Sequence, residues 1–219
     1  HDALPICDVD HALEDVLEVG QVYQTSNSRG LQWAAVTAVA IAAATKPDAT
    51  VSSVLDAVFD VCGGFSERFV QDAGVVGELQ KALDLTKDCS DFRELRVAFD
   101  EMYSGRGIPY AFSYANEVVT KAICIFRLVE GDLTQAIISG VNMGRDTDCI
   151  TAVAAGISGA LTGTVGLPEA WIVQVDHATE LNAFTNSQRT IREHAEGLYG
   201  AFQARLAKMK AYVAAMGVS

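Results

Sequence analysis

Basic residues are scarce in this chain: 16 Lys and Arg stand against 28 Asp and Glu, a formal net charge of −12. A surface of that sign excludes sequence-independent nucleic-acid binding, which needs a basic footprint. It also argues against docking to anionic membranes. Paired thiols are missing as well. The five cysteines (Cys7, Cys62, Cys89, Cys124 and Cys149) form no Cys-x-x-Cys, and their number is odd. That pattern fits reduced thiols in a cytoplasmic protein and excludes both a disulfide framework and a zinc site of ordinary spacing. No apolar run suits a bilayer. The two most apolar stretches, 31–44 and 149–165, are short and built from Ala, Gly and Thr more than from Leu or Ile. Residues 1–10 are polar and acidic, unlike a secretory signal. Strict apolar–polar alternation is absent, as are Asn-Gly and Asp-Gly hairpin turns, which excludes a predominantly β fold. Nor is there an internal repeat, a Ser-His-Asp pattern or a phosphate-binding glycine loop.

What remains is a globular composition, 50% hydrophobic and 20% charged, in a chain of 219 residues that can bury one sizeable core. Its periodicity is helical. Leu133, Ala136, Ile137, Gly140 and Val141 share one helix face, with Asp132 as cap and Gln135 as the second half of a capping box. Thr50 can cap a helix over 51–61 that Gly63 and Gly64 end. Residues 117–129 make another helix, stopped by Gly131. Pro168 suits the first turn of a further one. Residues 187–216 read as one or two long outer helices. Residues 63–110, more charged and with a glycine-rich turn at 104–107, read as an excursion over one face. The expected fold is all-α.

Small residues four apart, Gly140 with Gly144 and Gly159 with Gly163, and Gly156 near the second pair, predict closely approaching helices. Between them runs Gly144-Arg145-Asp146-Thr147-Asp148-Cys149-Ile150. Carboxylates are favoured at a helix N-terminus, so Asp148 alone could be a plain N-cap. One cap explains one aspartate. Two carboxylates flanked by apolar segments repel each other unless a cation lies between them. Their hard oxygen donors suit Mg²⁺ or Mn²⁺.

This motif, with the Thr-Ala-Val-Ala-Ala-Gly-Ile-Ser-Gly-Ala-Leu-Thr-Gly run after it, resembles the ADP-ribosylglycohydrolase signature, commonly Gly-Gly-Asp-x-Asp-Thr before an Ala- and Gly-rich helix. Gly131-Asp132-Leu133, residues 136–142, the Gly-Leu-Pro-Glu-Ala-Trp run at 166–171, residues 8–24 and the Ala-rich stretch 31–44 are similar too. The resemblance implies a multi-helix orthogonal bundle and a pair of Mg²⁺ or Mn²⁺ ions held in part by Asp146, Asp148 and Cys149. It makes Asp146 and Asp148 the catalytic carboxylates, and Tyr114, Asn116, Gly144 and Arg145 substrate-facing. Arg145 replaces the usual second glycine, and Cys149 stands where Thr or Ser usually offers a hydroxyl; a thiol is the softer, poorer ligand. Tyr114 and Asn116 read equally as a surface tyrosine and a helix cap, and His177 as an ordinary surface residue.

The implied activity is metal-dependent hydrolysis of an N- or O-ribosyl bond in an ADP-ribosylated protein or ADP-ribose derivative. The rival expectation is a non-catalytic relative that binds a ribosyl ligand or a protein, with Arg145 bridging into the space between the aspartates. A purely structural helical domain would leave both aspartates solvated. The sequence starts at His1, and the resemblance aligns it with the middle of the family's domain. Residues 1–219 are therefore expected to form a single domain lacking its N-terminal part. A Thr-Asp-Asp run with further metal ligands, absent from this sequence, is expected on a preceding segment or a complementing chain.

Overall fold

The computed structural model describes residues 8–25, 28–63, 74–103, 114–184 and 188–217. Every regular element among these is an α-helix, and none is long and apolar enough to cross a membrane. The helices fall into two compact units, Pro5–Gly166 and the chain from Leu167 onwards.

The first unit holds eight helices among the described residues. Helix α1 (Val9–Gly20) starts at Asp8, whose carboxylate accepts from the His11 amide at 3.1 Å. Helix α2 (Arg29–Ala44) starts at Ser28, whose hydroxyl accepts from Leu31. Its alanines keep its surface narrow, so α1, α3 (Val51–Gly63), α6 (Ala115–Leu128) and α8 (Thr147–Thr162) all pack against it. Trp33, Val36 and Val39 are buried in consequence. Thr50 and Ser53 bond reciprocally at the start of α3. That helix runs through Gly63, and Gly64 lies outside the described residues.

Helix α6 is the centre of the unit. Every residue from Glu117 to Phe126 is buried, charged ones included. It ends where Gly131, at φ +77°, donates to the Phe126 carbonyl at 3.0 Å. Asp132 then caps α7 (Leu133–Asn142) by accepting from the Gln135 amide at 2.8 Å. Leu133, Ala136 and Gly140 are buried as the periodicity predicts, while Val141 is exposed. Gly140 supplies the close approach between α7 and α8, lying against Thr151. The other small residues do not: Gly156 and Gly159 have ordinary room, Gly144 lies in a turn, and Gly163 caps α8 in open space.

Residues 74–102 correct the reading of this region as a surface excursion. They form α4 (Gly74–Leu85) and α5 (Phe92–Met102), which send Leu79, Leu95 and Phe99 into the core. Burial of each is worth roughly 1.5–3 kcal/mol, enough to make these helices part of the fold's stability. The turn at 104–107 lies outside the described residues.

In the second unit, α9 (Glu169–Leu181) follows Pro168, which is the N-cap and not a first-turn residue. Helix α10 (Ile191–Ala215) is one continuous helix. Thr190 and Glu193 close a capping box at its start, and the Ile191 amide donates to Asp176 at 2.8 Å. His177 is exposed on α9, as an ordinary surface residue would be.

Candidate metal centre

The segment joining α7 to α8 turns sharply. Gly144 (φ +75°) and Arg145 (φ +62°) both take the left-handed conformation. Glycine does so freely; arginine does so at a steric cost. The Thr147 amide then donates to the Arg145 carbonyl at 3.0 Å, with Asp146 between them at φ −82°, ψ 65°. That is an inverse γ-turn, and it carries Asp146 at its apex.

Asp146 is thus the N-cap of α8, and its side chain makes no capping hydrogen bond. Asp148, the residue expected to cap, lies inside the first turn. Asp146 thus closes no capping bond, while Asp148 stands in the first turn, where the helix dipole favours a carboxylate. One ligand atom from each of Asp146, Asp148 and Cys149 lies within 4.8 Å of the others, a grouping that could hold a metal ion. Although apolar runs flank it, the site is open: Asp146 is half-buried, and Asp148 and Cys149 are exposed. Apolar helix α8 turns its other face inward, burying Ile150, Ala154 and Ile157.

The donors suit a hard cation unequally. The carboxylates are hard oxygen ligands at the positive end of a helix. The Cys149 thiol hydrogen-bonds to the Asp146 carboxylate, which holds its pKa above the ordinary value; slight desolvation and the charges of Asp146 and Asp148 push the same way. A thiol kept protonated, and soft besides, is the weakest of the three ligands.

Arg145 is nearly buried, and its Nε donates to Glu117 Oε1 at 2.5 Å. This bridge ties the turn before α8 to the central helix α6. Glu117 also takes Lys121 Nζ at 2.8 Å, one turn along α6, and both side chains are almost fully buried. Lys121 lies 5.9 Å from the centre of the Phe99 ring. Sequence reasoning missed this triad. Its only signal was a Glu and a Lys four apart inside an otherwise apolar helix.

Of the four residues expected to face substrate, Gly144 and Arg145 lie on the turn before α8 and Tyr114 and Asn116 at the start of α6. Tyr114 is the exposed N-cap of α6 and makes no capping bond. Asn116 lies within the first turn of α6, where its Nδ2 donates to Glu78 Oε1 at 2.8 Å. The Tyr103 hydroxyl donates to the same oxygen at 2.8 Å and lies 3.0 Å from Thr120 Oγ1. Burial, with the charges of Glu78 and Glu117, pushes the Tyr103 phenol above its ordinary range. A cleft of about 340 Å³ opens beside Glu78 and Tyr103, bordered by Arg29, Lys81 and Met102. Glu78 and Tyr103 carry no sequence signature, since each stands in an irregular, charged stretch.

Residues 3–207 match the ADP-ribosylglycohydrolase family. The chain belongs to that family. Comparison with curated proteins and with solved structures gives no match. The match covers both the Asp146–Cys149 turn and the helices that frame it. Membership brings with it the glycosidic hydrolysis typical of ADP-ribosylglycohydrolases, and the all-α architecture agrees.

Proposed function

We propose that this protein is a divalent-metal-dependent hydrolase that cleaves an N- or O-ribosyl bond in an ADP-ribosylated protein or an ADP-ribose derivative. The observation that carries the reading is the convergence of Asp146, Asp148 and Cys149 within 4.8 Å at the start of α8, with neither carboxylate used as a cap. Family membership supplies the reaction class. Mg²⁺ or Mn²⁺ fits the oxygen donors, and the resemblance argues for a two-ion centre completed by ligands other than these three.

Asp146 and Asp148 would hold the divalent ion, which would supply Lewis-acid polarisation there. The chain's own contribution is electrostatic and protonic. Breaking the bond at the anomeric carbon builds positive charge on the ribose, and two carboxylates beside it oppose that charge. Asp148 is exposed in the first turn and open to water, so it is the carboxylate suited to accept a proton from it. Asp146, hydrogen-bonded by Cys149, is suited to holding and orienting. Gly144 and Arg145 lie on the turn beside them, and Tyr114 and Asn116 at the start of α6 are the further residues assigned to substrate.

The test is hydrolysis of a panel of ribosides (ADP-ribosyl-arginine, ADP-ribosyl-serine, O-acetyl-ADP-ribose and simple N-ribosides) with and without Mg²⁺. The reading expects Mg²⁺-dependent turnover of at least one, abolished in Asp148→Asn with helicity intact. Full Mg²⁺-dependent turnover by Asp148→Asn would remove the assignment.

A further inference from the structure

Two successive left-handed residues, Gly144 and Arg145, set the direction in which the chain enters α8. The second is the anomaly. A non-glycine residue meets a steric cost in such a backbone, which fixed surroundings can offset. Arg145 has such surroundings. Its side chain is 12% exposed and tethered at 2.5 Å to Glu117, itself 5% exposed and fixed on the central helix α6. Glu117 is in turn held by Lys121 at 2.8 Å. The carbonyl of Arg145 receives the Thr147 amide at 3.0 Å, so the conformation at 145 decides where the Asp146 apex stands. Moving Arg145 out of the left-handed region would swing Asp146 away from Asp148 and Cys149.

We propose that Arg145, anchored by Glu117, is a positioning residue: it braces the turn so that Asp146 meets Asp148 and Cys149 at the metal centre. This rests on the metal reading above. The bland alternative is that the Arg145–Glu117 bond merely adds stability, with no bearing on the turn. The two differ in what replaces arginine. Alanine and glycine both delete the guanidinium and both leave Glu117 paired with Lys121. Only glycine accepts the left-handed backbone without cost.

The experiment is Mn²⁺ titration of the full chain, followed by calorimetry and by the electron paramagnetic resonance of free Mn²⁺, with helicity checked by circular dichroism. Arg145→Ala is expected to weaken Mn²⁺ binding about tenfold to a hundredfold, the range for loss of a group that orients a metal ligand. Arg145→Gly is expected to stay within about fivefold of the parent, the cost of glycine's extra backbone freedom. Arg145→Asn, which tolerates the left-handed region, should fall with glycine. If alanine prevents folding, Arg145→Ser takes its place against Arg145→Asn. Equal affinities for alanine and glycine would overturn the bracing role while leaving the metal site standing. A parent chain that takes up no Mn²⁺ would overturn the metal reading itself, and the bracing role with it.

Discussion

Thr151 lies so close to Gly140 that a Cβ at residue 140 would stand 2.8 Å from the Thr151 Cα and 2.5 Å from its Oγ1. Backbone cannot give way as a flexible side-chain end can, so α7 and α8 would have to part. Gly140→Ala is expected to destabilise the protein by about 1–3 kcal/mol, the usual cost of overpacking. Gly156→Ala is the control. Its added methyl would meet only Ile41 Cδ1 at 3.7 Å, an ordinary contact. It sits inside α8, where alanine is favoured over glycine by roughly 0.5–1 kcal/mol. Urea unfolding of the two variants should move the midpoint in opposite directions.

Glu117 faces two buried cations, Lys121 and Arg145. Its removal leaves both without their shared carboxylate. Glu117→Ala is expected to cost about 3–5 kcal/mol, as for other broken buried ion pairs. Lys121→Met leaves Glu117 and Arg145 balanced and puts an apolar stem beneath Phe99, so its loss should be smaller. If the two variants unfold at the same urea concentration, the triad does not carry the charge balance described.

The thiol at 149 is the poorest ligand of its cluster and is held protonated chiefly by its hydrogen bond to Asp146. Cys149→Thr exchanges it for a hard hydroxyl oxygen of similar size. Mg²⁺ affinity measured by calorimetry is expected to hold or rise in that variant, and thiophilic Cd²⁺ to bind less well. Loss of Mg²⁺ binding would mean that the sulfur is required.

Burial pushes the Cys62 thiol from 9.0 up to about 12. Between those values the folded chain keeps a proton that the unfolded chain has lost. Stability is therefore whole below pH 9.0 and declines as pH rises towards about 12. Cys124, raised to about 11 by burial, adds to the same decline. Melting temperatures recorded from pH 8 to pH 11 should fall less steeply for Cys62→Ala than for the parent. Parallel curves would show that Cys62 does not contribute.

How much was legible in advance depends on the range of the interaction. The Asp132 cap, the Gly131 stop and the buried face of α7 are set by residues three to five apart, and the sequence pattern shows them. The two aspartates at 146 and 148 are equally local. Helix α5 was passed over because its segment is polar on balance, although Leu95 and Phe99 stand four apart on one face. Glu117 and Arg145 are separated by 28 residues, so nothing local announces that they meet. The left-handed turn at Arg145 was hidden for the same reason, since its support comes from α6 and not from its neighbours.

Helices α7 and α8 are joined by Met143 to Asp146 alone, while Gly140 and Thr151 clamp them at contact distance. A tether that short between fixed ends cannot lengthen or shorten to suit its guest. Under the metal reading, the centre should therefore sort ions by radius. Mg²⁺ and Mn²⁺ demand compact octahedral shells, whereas Ca²⁺ gathers more and longer bonds from ligands that can give way. The absence of slack between these two helices would then make the centre a gauge of ionic size, with Ca²⁺ the ion it disfavours.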